Sequence, residues 1–247
     1  MNFLLPILIK LSPRVILDHH WEVVDILSLK LRFSDSSDSD TFKIITREDI
    51  MHLTENNINQ YRGLDPHFYY PEFLKMLDLL NKSGFEIKRM SELVEFSKET
   101  TNPSNVKKFI YVEIADVSLN YVFISCHSIV KGSEAPSRAR KIIRKDALLI
   151  PLTRPYRRAI AVVNSRYNRA ITTTGFSVSY SKSDSPVDSY YLCAFLKSPY
   201  GLIQLSQRMS NANYPAILEN DIADILIPIL SDDVHKISND MKEIVHN

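Results

Sequence analysis

Glycine is scarce in this chain. Five glycines, no two of them adjacent, are spread over 247 residues, with two cysteines and one tryptophan. A phosphate-binding loop, a dinucleotide turn or an AdoMet loop needs several glycines within a few residues, so none of these can be built. His-Glu-x-x-His and a cysteine cluster for zinc are missing too. So are the Gly-x-Ser-x-Gly nucleophile elbow and the Asn/Asp-Pro-Pro-Tyr/Phe motif of amino-methyltransferases. Cys126 and Cys193 lie in the apolar runs "VFISCHSI" and "YYLCAFL". They read as small core side chains of a reducing compartment, not as a disulfide framework. No apolar run reaches the roughly 20 residues of a membrane span. The opening "MNFLLPILIKL" lacks a basic start and is broken by Pro6, which makes it a weak signal peptide; a cytoplasmic location is the expectation. Glu113 and Asp116 are candidate carboxylates for a metal nuclease, but three residues apart in a strand they face opposite sides. Catalysis by this chain is therefore not expected.

Strong charge asymmetry is present. The formal net charge is only +1. Residues 132–182, however, hold eleven Lys/Arg against two Asp/Glu, while residues 1–60 hold six against nine and residues 183–247 hold four against nine. A basic centre between acidic ends suits a polyanion partner. The alternative is a solvated face balanced by acidic neighbours.

Periodicity divides the chain. Residues 1–60 are the least legible: "RVILDHHWEVVDILSLKLRF" fits strands or a helix, "SDSSDSD" (34–40) is a polar loop, His19 and His20 read as a surface pair, and Trp21 reads as core. A first clear helix follows Pro71, with Phe73, Leu77 and Leu80 on one face and Gly84 as its stop. Strand-like runs fill 108–118, 121–129, 147–152, 159–163 and 170–180. Pro151 confines its run to an edge, a bulge or a strand end. Helices return near 187 and divide at Ser198-Pro199, where the serine caps and the proline opens the next helix; Leu202, Leu205 and Met209 share a face of it. "LENDIADILIPIL" reads as a helical turn leading into a strand, and "DDVHKISNDMKEIV" as the start of another helix.

The basic segment "PSRARKIIRKDALLIPLTRPYRRAIAVV" (136–163) is unlike the rest of the chain. Arg138 and Arg140, if extended, project from one side, and Lys141, Arg144 and Lys145 continue the charge. Arg154, Tyr156, Arg157 and Arg158 fall in a loop between two strands. A second loop, "NSRYNRA", carries Asn164, Arg166, Asn168 and Arg169. Arginine bonds phosphates or a guanine edge bidentately, asparagine pairs with adenine, and tyrosine stacks or bonds a phosphate. Loops of this chemistry on a rigid sheet suit duplex DNA. Single-strand and RNA readers expose rows of aromatics, whereas only Tyr156 and Tyr167 interleave here.

The order of motifs resembles a known family. "YRGLDPHFYYPEFLKMLDLLNKSGFEIKRMSEL", "FIYVEIADVS", "PSRARKIIRKDALLIPLTRPYRRAIAVV", "TTTGFSVSY" and "YYLCAFLKSPYGLIQLSQRMSNANYPAILENDIADILIPI" together cover residues 61–230. They are similar, in the same order, to the target recognition domain of the specificity subunit of type I restriction–modification systems. The resemblance implies an α+β fold, a mixed β-sheet recognition domain with flanking helices. It implies no catalytic residues and no cofactor, since the methyl donor and ATP belong to the partners. It implies duplex DNA as ligand, with a methyltransferase subunit and in some systems a nuclease-translocase subunit as partners. Ser137, Arg138, Ala139, Arg140, Arg154 and Pro155 fall on the family's motif positions. The full DNA-binding set expected is Ser137, Arg138, Arg140, Lys141, Arg144, Arg154, Tyr156, Arg157, Arg158, Asn164, Arg166, Asn168 and Arg169.

Two departures from the family pattern stand out. Members carry two recognition domains joined by long antiparallel helices, whereas one domain is legible here. The last segment, Asp232 to Asn247, would make a helix of at most about 24 Å, too short for the spacer. A half-subunit that forms a homodimer, a truncated product or an excised domain are the resulting expectations, with residues 1–60 of unknown role. The alternatives in function are an interaction module that docks on a methyltransferase without holding DNA, and a small nuclease or methyltransferase active on its own.

Overall fold

The computed structural model describes residues 30–31, 43–44, 71–209, 215–230 and 233–246. The readings of His19, His20, Trp21, the acidic stretch 34–40 and the "YRGLDPHFYY" lead-in fall outside the described residues. The chain divides into two units, Met1–Tyr70 and Pro71–Asn247. In the first, β1 (Lys30–Leu31) and β2 (Lys43–Ile44) form an antiparallel pair.

The second unit is a mixed α+β body built on three sheets. One, in the order β6-β5-β10-β7, comprises β5 (Phe109–Val112), β6 (Ser128–Val130), β7 (Ala139–Ile142) and β10 (Ile171–Thr173). The next, in the order β4-β11-β8-β9, comprises β4 (Val94–Phe96), β8 (Leu148–Pro151), β9 (Ala161–Val162) and β11 (Phe176–Ser181). The third pairs β3 (Glu86–Arg89) with β12 (Leu226–Ile229). Among the described residues only the β10–β5 pairing is parallel. The main core cluster joins residues from the first two sheets and the loops between them, including Val112, Ile143, Leu149, Ala161, Val163, Tyr167, Phe176 and Val178. All four residues of β8 are buried, because the helix Ser189–Lys197 covers the face away from this core. That is why "ALLIP" reads as a continuous apolar run.

Helices fall where the sequence places them, except for a short one at Met90–Leu93 that the sequence reading does not place. They are α1 (Pro71–Asn81), the short α2 (Met90–Leu93), α3 (Ser189–Lys197), α4 (Pro199–Gln207), α5 (Glu219–Ala223) and α6 (Val234–His246). Gly84 beyond α1 takes φ +77°, the left-handed conformation expected of a stop. Ser198 caps α4 by accepting from the Gly201 N–H at 3.3 Å. Gly201 has a packing reason: a Cβ there would lie 2.4 Å from the Phe195 carbonyl oxygen. The buried face of α4 differs from the apolar stripe expected. Leu205 is fully buried, but Leu202 and Met209 are only partly so, and Gln204, Gln207 and Arg208 go inside instead. The reason is backbone pairing. Gln204 donates to the Leu226 carbonyl and accepts from the Leu226 N–H, both at 2.8 Å, and so acts as a strand partner for β12.

Asp188 joins α3 to α6. Its Oδ1 accepts from the N–H groups of Tyr190 and Tyr191 at 3.1 and 3.0 Å and from the Ser238 hydroxyl at 2.8 Å, while Oδ2 meets Lys242 Nζ at 2.7 Å. Burial pushes the carboxyl up, but Lys242 and the N–H donors together outweigh it and hold the carboxyl below its ordinary value. Its stabilising contribution is therefore complete above the ordinary carboxylate range and is lost as pH falls through the depressed folded value. Asp188→Ala is expected to cost about 2 kcal/mol at neutral pH, the loss of a helix cap and its partners. Acid titrations of melting temperature should show the variant converging on the wild type at low pH.

Three strand expectations are corrected. The run 108–118 is a strand only over Phe109–Val112, followed by a 3-10 turn at Ile114–Asp116. The Asp116 carboxylate accepts from the Glu113 N–H at 2.8 Å, and the Asp116 carbonyl accepts from the Ser125 N–H at 2.7 Å, so the chain turns instead of continuing. The run 121–129 is mostly loop, with β6 beginning only at Ser128. Cys126 is consequently exposed, not core; its Sγ lies 3.0 Å from Asp116 Oδ1, whose carboxylate raises the thiol pKa. Cys193 is buried as expected. The run 170–180 forms two strands in different sheets, β10 and β11, broken at Thr174–Gly175.

Candidate nucleic-acid interface

The hairpin β8–β9 organises the basic segment. Leu148 pairs with Val162 and Leu149 with Ala161, so residues 152–160 leave one end of the hairpin and residues 143–147 and 163–170 gather at the other. β8 has four residues, and at about 3.3 Å per residue the two ends are separated by about 13 Å of strand.

Ser137, Arg138, Arg154, Tyr156, Arg157 and Arg158 occupy the first end. The Thr174–Gly175 turn links them: the Thr174 N–H donates to the Arg138 carbonyl at 2.9 Å and the Leu152 N–H to the Gly175 carbonyl at 2.8 Å. Pro155 is buried and anchors the loop, while Tyr156, Arg157 and Arg158 are exposed. Arg144, Asn164, Arg166, Asn168 and Arg169 lie at the second end, with Lys145. The Arg169 N–H donates to the Ile143 carbonyl at 2.8 Å, the Asp146 N–H to the Val163 carbonyl at 2.8 Å, and the Lys145 N–H to Asn168 Oδ1 at 3.3 Å. Buried Tyr167 fixes this loop in the core.

The expected residues differ in what their charges already hold. Lys141 Nζ meets Glu219 Oε1 at 2.9 Å with its side chain only 16% exposed. Arg144 makes a two-point contact with Glu99, Nε to Oε2 at 3.0 Å and Nη2 to Oε1 at 2.6 Å, and that carboxylate raises the guanidinium pKa further. Arg140 bonds Asn102 Oδ1 at 2.8 Å and the Ser137 carbonyl at 3.1 Å. Asn164 Oδ1 accepts from the Arg166 N–H at 3.1 Å and shapes its own loop. Arg166 lies over the Tyr167 ring at 5.7 Å. Arg138, Arg157, Arg158 and Arg169 are exposed and meet no carboxylate among the described residues.

Backbone strain concentrates in the same loops. The non-glycine residues with positive φ are Asp146 at 65°, Arg154 at 50°, Arg158 at 65° and Arg169 at 69°. Aspartate tolerates this conformation; arginine does so at a cost of about 1–3 kcal/mol.

Two features escape a reading of the basic segment alone. The loop 118–123 packs beside residues 158–162, with the Val162 N–H donating to the Val122 carbonyl at 2.9 Å. Lys197, at the end of α3, ties the two loops together: the carbonyls of Ser118 (3.0 Å), Arg158 (2.8 Å), Ile160 (3.0 Å) and Tyr121 all lie within hydrogen-bond distance of its Nζ and share its three N–H donors. Burial pushes this ammonium down to about 8, which still leaves it charged at neutral pH.

Together these sheets, flanking helices and arginine-bearing loops define the mixed α+β fold of a target recognition domain. Solved structures make the likeness specific. The chain is 28% identical to the HsdS subunit from Thermoanaerobacter tengcongensis, with a TM-score of 0.57 over 66% of this chain and 42% of that one. It is also 28% identical, with a TM-score of 0.56 over 63% of this chain and 41% of the other, to a chain from a study of complex assembly and conformational transition in the type I R-M system. Its structural neighbours are thus HsdS specificity subunits of type I restriction–modification systems, and the chain spans about two fifths of their length. No protein-family model and no curated protein matches it. No helix among the described residues is long and apolar enough to cross a membrane, and no group of metal-ligating side chains is found among them.

Proposed function

We propose that this chain is a non-catalytic, sequence-specific reader of duplex DNA that directs a methyltransferase subunit, and in a full system a nuclease-translocase subunit, to its target. The observation that carries this reading is the set of exposed arginines that meet no carboxylate among the described residues, two of them, Arg158 and Arg169, being held in left-handed backbone, on a fold shared with HsdS. Arg138, Arg157 and Arg158 at one end of the β8–β9 hairpin, with Arg166 and Arg169 at the other, supply phosphate contacts. Arg140, Lys141 and Arg144 brace the domain from within it. The limits we assign are 1–60 for a segment of separate role and 61–230 for the recognition motifs, with the C-terminal helix of 231–247 held to the recognition domain through Asp188, Ser238 and Lys242.

Mapping methylated positions in host DNA with and without this gene tests the assignment. One methylated motif should vanish with the gene and return with its re-expression. An unchanged methylation pattern, together with co-purification of the chain and a methyltransferase that retards no duplex, would favour the docking-module reading instead.

A further inference from the structure

The tip of loop 118–123 presents apolar and amide groups to solvent from a rigid mount. Leu119 and Tyr121 are 51% and 45% exposed, and Asn120 between them is exposed as well. Exposed apolar side chains are ordinary when scattered, but this pair stands on a braced turn. The Ser118 N–H donates to the Phe123 carbonyl at 3.1 Å and the Tyr121 N–H to Ser118 Oγ at 3.0 Å. Tyr121 stacks on Phe123 with ring centres 5.4 Å apart and planes 12° from parallel. Val122 is buried beneath them, and Lys197 locks Ser118 and Tyr121 to Arg158 and Ile160. The tip is thereby held next to Tyr156, Arg157 and Arg158, which are also exposed.

We infer that Leu119, Asn120 and Tyr121 enter a groove of the duplex and select bases, while Arg157 and Arg158 hold the adjoining phosphates; this rests on the DNA-reading function above. Charge complementarity favours DNA as the occupant, because the arginines flanking the tip meet no carboxylate among the described residues. The chemistry is that of base readout. An asparagine amide pairs with adenine, and an apolar side chain meets a thymine methyl or wedges between base steps. Lys197 is a positioning residue for this surface.

Selection of the full chain on a randomised 30-bp duplex library first defines the preferred sequence. Affinity is then measured for that duplex and for a scrambled one, using Leu119→Ser and, as a second variant that leaves the Tyr121–Phe123 stack intact, Asn120→Ala. Each variant should lose about 20-fold on the selected duplex, as expected for a lost base contact. Each should change less than about twofold on the scrambled duplex and keep the wild-type salt dependence, since no phosphate contact is removed. A selected-to-scrambled ratio equal to that of wild type in both variants would overturn the inference while leaving DNA reading by the arginines standing. Loss of methyltransferase co-purification with unchanged duplex selection would overturn it in favour of a protein-docking tip. A wild-type chain that enriches no sequence and binds no duplex would remove the inference together with the function on which it rests.

Discussion

Alanine at Arg157 and Arg158 together is expected to lower duplex affinity about 60-fold at 0.1 M salt, and to make the log–log salt slope shallower by about 1.8, if each guanidinium releases one phosphate's counterions. The loss should be similar on the preferred and on a scrambled duplex, because phosphate contacts carry no sequence information. Stability should change little, as both side chains are exposed and pair with no carboxylate among the described residues. Arg158→Gly separates charge from strain. At φ 65° glycine is the easier residue, so this variant should weaken binding about 8-fold, one contact's worth, while its melting temperature holds or rises. Equilibrium titrations and thermal melts on the same preparations check both statements. Unaltered affinity in the double variant would remove this end of the hairpin from the interface.

Lys197→Met is expected to have the largest effect on the fold and an indirect one on binding. Four backbone carbonyls lose their common donor, at a cost of about 3 kcal/mol. For a domain of this size that lowers the melting temperature by about 10 °C. Residues 118–123 and 158–160 should then exchange amide hydrogens faster than the rest of the domain, since Lys197 is what joins them. Affinity for the preferred duplex should fall more than affinity for a scrambled one, because loop geometry serves base selection more than charge. Uniform faster exchange across the whole domain would show that Lys197 supports the core and not the loops.

Much of this architecture is legible in the sequence because local chemistry decides it. Pro71 and Pro199 open their helices by a fixed φ, Ser198 caps by a side-chain hydrogen bond, and Gly84 follows its helix in left-handed φ, all of them local effects. Pro151 is the last residue of its strand, one of the places where a residue without an N–H fits. The basic loops are also visible, since charge clustering needs no tertiary information. What could not be seen is which charges the fold consumes. Glu219 lies 78 residues from Lys141 and Glu99 lies 45 from Arg144, so these ion pairs depend on topology that no local pattern records. The loop 118–123 was hidden for a different reason. Its β-branched and aromatic residues favour a strand, and only the Asp116 capping contacts, together with the carbonyls gathered by Lys197, turn it outward. Gln204 on the buried face of α4 is not legible, because a polar side chain that replaces a strand partner looks like a surface residue until the strand is placed; buried Arg208 beside it bonds the Asp224 carbonyl, a partner equally distant in pattern.

The most direct test is the salt dependence of binding to duplex DNA. If Arg138, Arg157, Arg158, Arg166 and Arg169 each neutralise one phosphate, the logarithm of the binding constant should fall with the logarithm of salt concentration with a slope of about −4.5. A slope near zero would mean that these loops hold no phosphates, and it would contradict the account.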